Sequence, residues 1–147
     1  MFVVDTNILL HAANSASPHH ARARSLLTEW LEGAHAFHLT WGIVYEFLRV
    51  ATHRAVFPKP LTFGDALAFV EVLVGNPRVE MLADGGEHAA SLRRAAKAMP
   101  SLTGSRFHDL HTALLMQENG LSDIRTEDTD FHRFAWLRPT NPLARRP

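Results

Sequence analysis

Carboxylates recur in this chain at places where a carboxylate is expensive to keep. Asp5 directly follows the apolar run Phe2-Val3-Val4, and Glu46 sits between Tyr45 and Phe47 in an otherwise apolar stretch. Asp109 opens a segment that carries Leu110, Ala113 and Leu114. Asp128 and Asp130 lie in Thr126-Glu127-Asp128-Thr129-Asp130-Phe131. A charge close to apolar segments needs compensation, and several gathered carboxylates raise one another's pKa. A hard cation such as Mg²⁺ or Mn²⁺ removes that cost and prefers oxygen ligands. Held there, it could polarise a phosphodiester, activate water and stabilise the leaving oxygen. Each acid also has a plainer reading. Asp5 could simply cap a helix, Glu46 could face solvent, Asp109 could favour a helix N-terminus, and Asp128 and Asp130 could be turn residues.

The acids need elements to position them. Phe2-Val3-Val4 reads as a short buried strand broken by Asp5-Thr6-Asn7. Leu26, Leu27, Trp30 and Leu31 share a helical face within about Pro18 to Leu31, and Gly33 is placed to stop that helix. Ala36 to Thr40 alternates Phe37 and Leu39 with polar neighbours as a second strand, and Trp41 to Ala51 returns to helical spacing. His53 to Leu61, with Pro58 and Pro60, is a loop. Thr62 and Asp65 resemble a capping box for a helix that runs to Gly75. Val79 to Ala83 is a third strand, Gly86 to Met99 a helix, and Phe107 to Asn119 another, closed by Gly120. Asp123 to Thr126 and Ala135 to Arg138 complete the set as a fourth and a fifth strand. Alternating strands and helices imply an α/β domain with a mainly parallel sheet, whose active sites collect at the carboxyl ends of strands.

Bulk properties bound the function. The 147 residues suit one core, and 46% apolar content is ordinary for a folded domain. Fifteen basic residues balance fifteen acidic ones, so net charge offers no argument for a nucleic-acid partner, which must be argued from a local site. Without cysteine there is no disulfide and no Cys-ligated metal, as suits a reducing cytoplasm. No leader pattern or run of ~18 apolar residues points to secretion or a membrane.

Taken together, these motifs resemble the PIN-domain ribonucleases, specifically the VapC-type toxins of bacterial type II toxin–antitoxin pairs. The resemblance runs from Phe2-Val3-Val4-Asp5-Thr6-Asn7 through Trp41-Gly-Ile-Val-Tyr-Glu46-Phe-Leu-Arg49 and His108-Asp109-Leu-His-Thr-Ala113 to Thr126-Glu-Asp128-Thr-Asp130-Phe131. The ending Arg133-Phe-Ala-Trp-Leu-Arg-Pro-Thr-Asn-Pro-Leu143 is similar to one subgroup. It implies a single PIN domain over 1–147, with about five strands in the order 3-2-1-4-5 flanked by helices. It implies that Asp5, Glu46, Asp109 and Asp128 are catalytic acids holding one or two Mg²⁺ or Mn²⁺ ions. Asp130 is implied as a further metal-site acid, with Thr6 and Thr126 supporting through their hydroxyls. The implied reaction is endonucleolytic hydrolysis of tRNA or ribosomal RNA, leaving 5′-phosphate and 3′-hydroxyl ends. A homodimer is also implied, along with an antitoxin that carries a DNA-binding domain and a tail for the active-site groove.

Other residues invite roles. Arg22, Arg24, Arg49, Arg54 and Lys59 could grip RNA phosphates, or could be solvated surface charges. The ten histidines, His108 and His111 among them, raise the idea of zinc, but no His-Glu-x-x-His signature accompanies them. Trp30, Trp41 and Trp136 could stack on bases, although their positions suit a core. Two rivals to the nuclease remain: a PIN module that binds RNA or protein without cutting, and a Mg²⁺-dependent hydrolase of small phosphate esters. No Gly-rich phosphate loop or Asp-x-Asp-x-Thr motif supports the latter.

Overall fold

The sheet is built outward from two residues. Val3 and Val4 form strand β1 (Val3–Val4), and neither has any exposed surface. Strands covered on both faces belong to parallel sheets with helices on either side. The computed structural model, which describes residues 1–144, has that arrangement. The remaining strands are β2 (Phe37–Thr40), β3 (Val79–Leu82), β4 (Asp123–Arg125) and β5 (Arg138–Thr140). They lie in the order β3-β2-β1-β4-β5, and all four pairings are parallel. The helices are α1 (Thr6–Ala13), α2 (His20–Glu32), α3 (Trp41–Ala51), α4 (Phe63–Val74), α5 (His88–Ala98) and α6 (Arg106–Glu118), with a 3₁₀ turn at Thr129–Arg133.

From β1 the chain steps outward to β2 and β3, then returns to place β4 and β5 on the other side. Val3 pairs with His38 of β2 and Ile124 of β4, so β1 and β4 flank the point where the winding reverses. Ligand sites of open parallel sheets form at that crevice, beyond the carboxyl ends of the strands.

Local chemistry sets the helix ends. The Thr40 hydroxyl accepts the Ile43 N–H at 3.0 Å and turns β2 directly into α3. Thr62 accepts the Asp65 N–H at 3.1 Å and donates its hydroxyl to Asp65 Oδ2 at 2.7 Å, a variant of the expected capping box. At the end of α6, Gly120 adopts φ +68, a left-handed conformation that suits glycine. Its N–H and that of Leu121 bond back to the carbonyls of Gln117 and Met116, which aims the chain into β4.

Four expectations change. Residues 6–13 were assigned no element, although Asp5 was weighed as a helix cap, and they form α1, which Asp5 does cap; apart from His11, residues 8–13 are all apolar, so no helical period shows. The fifth strand lies at Arg138–Thr140 rather than Ala135–Arg138. Trp136 instead donates its indole N–H to the Ala113 carbonyl of α6 at 3.1 Å, and Phe134 packs beside it. The strand then holds Pro139, which an edge position tolerates. Trp41 is 54% exposed rather than core, because it opens α3 on the face turned away from the sheet. In β2, His38 and Thr40 are buried along with Phe37 and Leu39, so the expected alternation of inside and outside does not occur there.

The α3–α4 contact rests on stacked Phe47 and Phe69, whose ring centroids lie 5.0 Å apart, with Phe47 fully buried. Phe47→Ala is expected to cost about 3–5 kcal/mol. Urea denaturation reads it as a lower midpoint, and a loss under ~1 kcal/mol would show that this contact does not hold the helices together.

Candidate active site

Asp5 stands one residue past β1, and everything around it holds its carboxylate in place. Its backbone N–H extends the sheet by bonding the Arg125 carbonyl at 3.0 Å. Its Oδ1 accepts the Thr6 N–H at 2.7 Å, capping α1. Its Oδ2 accepts two short bonds, from Asn7 Nδ2 and from the Thr126 hydroxyl, both at 2.6 Å. Thr126 follows β4, so this last bond ties the two strand ends together across the crevice. The same Thr126 oxygen accepts the Asp128 N–H at 2.9 Å and the Asn7 amide at 3.0 Å. Asp128 in turn caps the 3₁₀ turn by accepting the Asp130 N–H at 2.8 Å.

The other acids arrive on helices. Glu46 lies on α3, where its Oε2 accepts the Thr6 hydroxyl at 3.1 Å and its Oε1 is 3.5 Å from Arg49. Asp109 lies in the first turn of α6. Asp130 is held by arginines, with Arg133 at 2.8 Å and Arg106 at 3.4 Å. Burial pushes the Asp5 carboxyl up to about 7 despite its Thr126 and Thr6 bonds, and the charges of Glu46 and Asp109 add to the rise. Burial likewise pushes Asp109 up to about 6, reinforced by Asp128, Glu46 and Asp130 and opposed by Arg133. Between them, Asp5 and Asp109 therefore feel the charges of Glu46, Asp128 and Asp130. Among the described residues, however, no three His, Asp or Glu side chains are gathered tightly enough to enclose an ion as they stand.

The donor set nevertheless fits a hard dication. It is all oxygen, it mixes buried with accessible carboxylates, and its members repel one another when ionised.

Several neighbours that support the acids were not singled out from the sequence. Asn7 bridges Asp5 and Thr126 and accepts the Glu127 N–H at 3.4 Å; the Asp-Thr-Asn spacing was its only signal. Arg133 meets Asp130 from within the same 3₁₀ turn, three residues on, while Arg106 reaches it from α6, 24 residues earlier, where no motif marks it. His11 joins Glu127 at 2.7 Å to Ser17 at 2.6 Å, which braces the loop before Asp128. Gly42, one turn ahead of Glu46, leaves room for His111: a Cβ there would stand 3.1 Å from its Nδ1. Of the four arginines considered for RNA, only Arg49 contacts a site acid among the described residues; Arg22, Arg24 and Arg54 are exposed.

Residues 2–137 match the PIN domain family. The chain is 33% identical over 146 residues to Ribonuclease VapC33 of Mycobacterium tuberculosis, covering 97% of this chain and 99% of that protein. It belongs to the VapC ribonucleases of the PIN-domain family. The fold of this VapC chain is also similar to the crystal structure of M. tuberculosis VapC20, a sarcin–ricin loop cleaving toxin. That match has TM-score 0.64 and 15% identity over 90% of this chain and 94% of that one. A second structural match is VapBC2 from Rickettsia felis bound to a fragment of its promoter DNA. It has TM-score 0.62 and 15% identity, covering 95% and 97% of the two chains. The sheet order of the VapC chain is the 3-2-1-4-5 order implied by the sequence resemblance.

Two outcomes follow from the site's bonding. Thr126→Val strips a donor from Asp5 and an acceptor from Asp128, and is expected to cost about 1–3 kcal/mol in thermal or urea unfolding. The second concerns pH. Asp5 holds its proton to about 7 in the fold against an ordinary value of 3.8, so its contribution to stability is full below about pH 4 and is lost as pH rises through about 7. In EDTA, the stability of wild type relative to Asp5→Asn should therefore fall across that window. Added Mn²⁺ should raise the melting temperature of wild type most at and above pH 7. A pH-independent difference would show that Asp5 is not strained by ionisation.

Proposed function

We propose that this VapC ribonuclease, a single PIN domain over 1–147, hydrolyses internal RNA phosphodiesters with Mg²⁺ or Mn²⁺ held by Asp5, Glu46, Asp109 and Asp128. Its family makes it the endoribonuclease toxin of a toxin–antitoxin system. The observation that carries the metal reading is Asp5 at the strand crossover, its carboxyl raised by burial and by Glu46 and Asp109. Such a site is costly when its acids ionise, and one or two bound dications would offset that cost. A bound Mg²⁺ or Mn²⁺ supplies Lewis acidity: it polarises the phosphate, makes water a better nucleophile and stabilises the leaving oxygen.

The chain's own residues do the positioning. Thr126 and Asn7 hold Asp5 Oδ2 facing the crevice, and Thr126 sets the backbone of Asp128. Thr6 orients Glu46 across from them. Arg133 and Arg106 keep Asp130 at the margin, where it supports the site more than it closes it. Water attacks the phosphorus in line, the bond to the 3′ oxygen breaks, and that oxygen takes a proton. The products are a 5′-phosphate and a 3′-hydroxyl.

The substrate is a structured RNA of translation, tRNA or ribosomal RNA, which sets the work in the cytoplasm. Among the described residues no helix is long and apolar enough to cross a membrane. The protein partners are an antitoxin with a DNA-binding domain and a second copy of the chain. Support comes from the exposed Trp41, Tyr45, Phe63 and Leu67, which line one apolar groove between α3 and α4, the kind of surface that partners cover.

Purified protein freed of antitoxin, incubated with total bacterial RNA and Mg²⁺ or Mn²⁺, should yield discrete fragments. EDTA should abolish them, and Asp5→Asn should lower the rate by about 100-fold or more. Intact RNA with both metals, from folded protein, would overturn the proposal and leave a module that binds without cutting.

A further inference from the structure

From His88 to His108 the chain carries Arg93, Arg94, Lys97 and Arg106 and not one Asp or Glu. The whole chain is neutral, so the remainder is correspondingly acidic and the positive charge is concentrated here. Arg93, Arg94 and Lys97 are all exposed on α5. Their spacing of three and four residues puts like charges beside one another on a helix with no acid to relieve them, a local conflict that an external anion would remove. Ala98 shares the face of Arg94 one turn later and lines a cleft of about 240 Å³. Arg106 and Arg133 line the same cleft, and both reach Asp130. Arg133 also lowers the energy of the Asp109 carboxylate. The cations of α5 thus lie on the helix whose C-terminal end borders this cleft, and Arg106 and Arg133 carry positive charge from there to the edge of the acids. Phe107, 52% exposed, stands beside Arg106 and offers a ring on which a base could stack.

We propose that this α5–α6 flank, comprising Arg93, Arg94, Lys97, Arg106 and Phe107 with Arg133, is the track on which a single-stranded stretch of RNA approaches the acids. The proposal rests on the ribonuclease reading above and names the surface that delivers its substrate. The cations neutralise successive phosphates, which positions the strand without reading its sequence. Arg133 and Arg106 mark where the backbone passes from a surface that attracts phosphate to one that needs a metal to accept it.

The test uses the full chain with Arg93→Glu, Arg94→Glu and Lys97→Glu combined, and a milder Arg93→Gln/Lys97→Gln pair in case the triple variant folds poorly. Arg78→Glu, at the opposite end of the sheet, is the control. Binding of a fluorescein-labelled oligoribonucleotide is followed by anisotropy in EDTA against salt, and cleavage is followed on total RNA with Mn²⁺. The triple variant should weaken binding by about tenfold or more and flatten the log–log salt slope by about 2, the loss of three phosphate contacts on a single strand. Cleavage should show raised KM with kcat preserved, and the double variant should fall between. Binding, slope and KM equal to wild type in both variants would overturn the track. So would retained RNA binding with lost capture of the antitoxin, which would assign the flank to an acidic tail of the protein partner. If wild type itself cuts no RNA with either metal, the ribonuclease reading fails, while the salt slopes still decide whether this flank binds RNA.

Discussion

One hydrogen bond, from the Thr126 hydroxyl to Asp5 Oδ2, does what no single element could. It crosses 121 residues of sequence and joins the ends of the two strands between which the sheet's winding reverses. The parallel sheet creates a crevice there in any case, because β2 and β4 leave β1 on opposite sides. That bond decides what faces the crevice. It fixes Asp5 and sets Asp128 through the same oxygen; with Asn7 packed alongside, it leaves Asp5 little freedom to turn away from its neighbours. Glu46 and Asp109 are brought in by helices that pack on this frame.

The arrangement opposes folding to function. Placing ionised groups in a buried crevice lowers stability, and the raised Asp5 and Asp109 carboxyls are the local expression of that cost. A fully apolar core elsewhere offsets it: Val3, Val4, Ile8, Phe37, Leu39, Phe47 and Ile124 have essentially no exposed surface. Part of this material lies in β1, β2 and β4 beneath the acids, and part on α1 and α3, which follow Asp5 and carry Glu46. Strain and support therefore occupy adjacent layers of one short sheet.

Much of this was legible in the residues, for identifiable reasons. The helix at 41–51 showed itself because Val44, Phe47, Leu48 and Ala51 keep the i, i+3, i+4, i+7 spacing with polar Glu46 and Arg49 between them, and β1 because three apolar residues meet an abrupt Asp-Thr-Asn. α1 was signalled only by Asp5 as a candidate cap, because residues 8–13 are apolar except His11 and so show no period. β5 was shifted because Phe134 and Trp136 are apolar for the sake of α6 rather than the sheet. At the site, the kinds of acid could be read directly, as could the places of Asp5 and Asp128 after strands and of Glu46 and Asp109 on helices. Their mutual influence could not, since Thr6 to Glu46 spans 40 residues and nothing in either neighbourhood encodes the other. Arg106 was invisible for the same reason: an arginine declares its charge but not its partner, here 24 residues away.

The two-residue strand at the chain's beginning has a consequence for the order in which the protein is made. β1 is hydrogen-bonded on one side to residues available early, at His38, and on the other to residues that emerge late, at Ile124 and Arg125. Asp5 obtains its partner hydroxyl only when Thr126 exists, and Asp128 follows two residues behind. A growing chain therefore carries Asp5, Glu46 and Asp109 with no frame to aim them until Thr126 and Asp128 have been made. A protein that cuts RNA is in this way kept incomplete until its fourth strand exists to pair with its first.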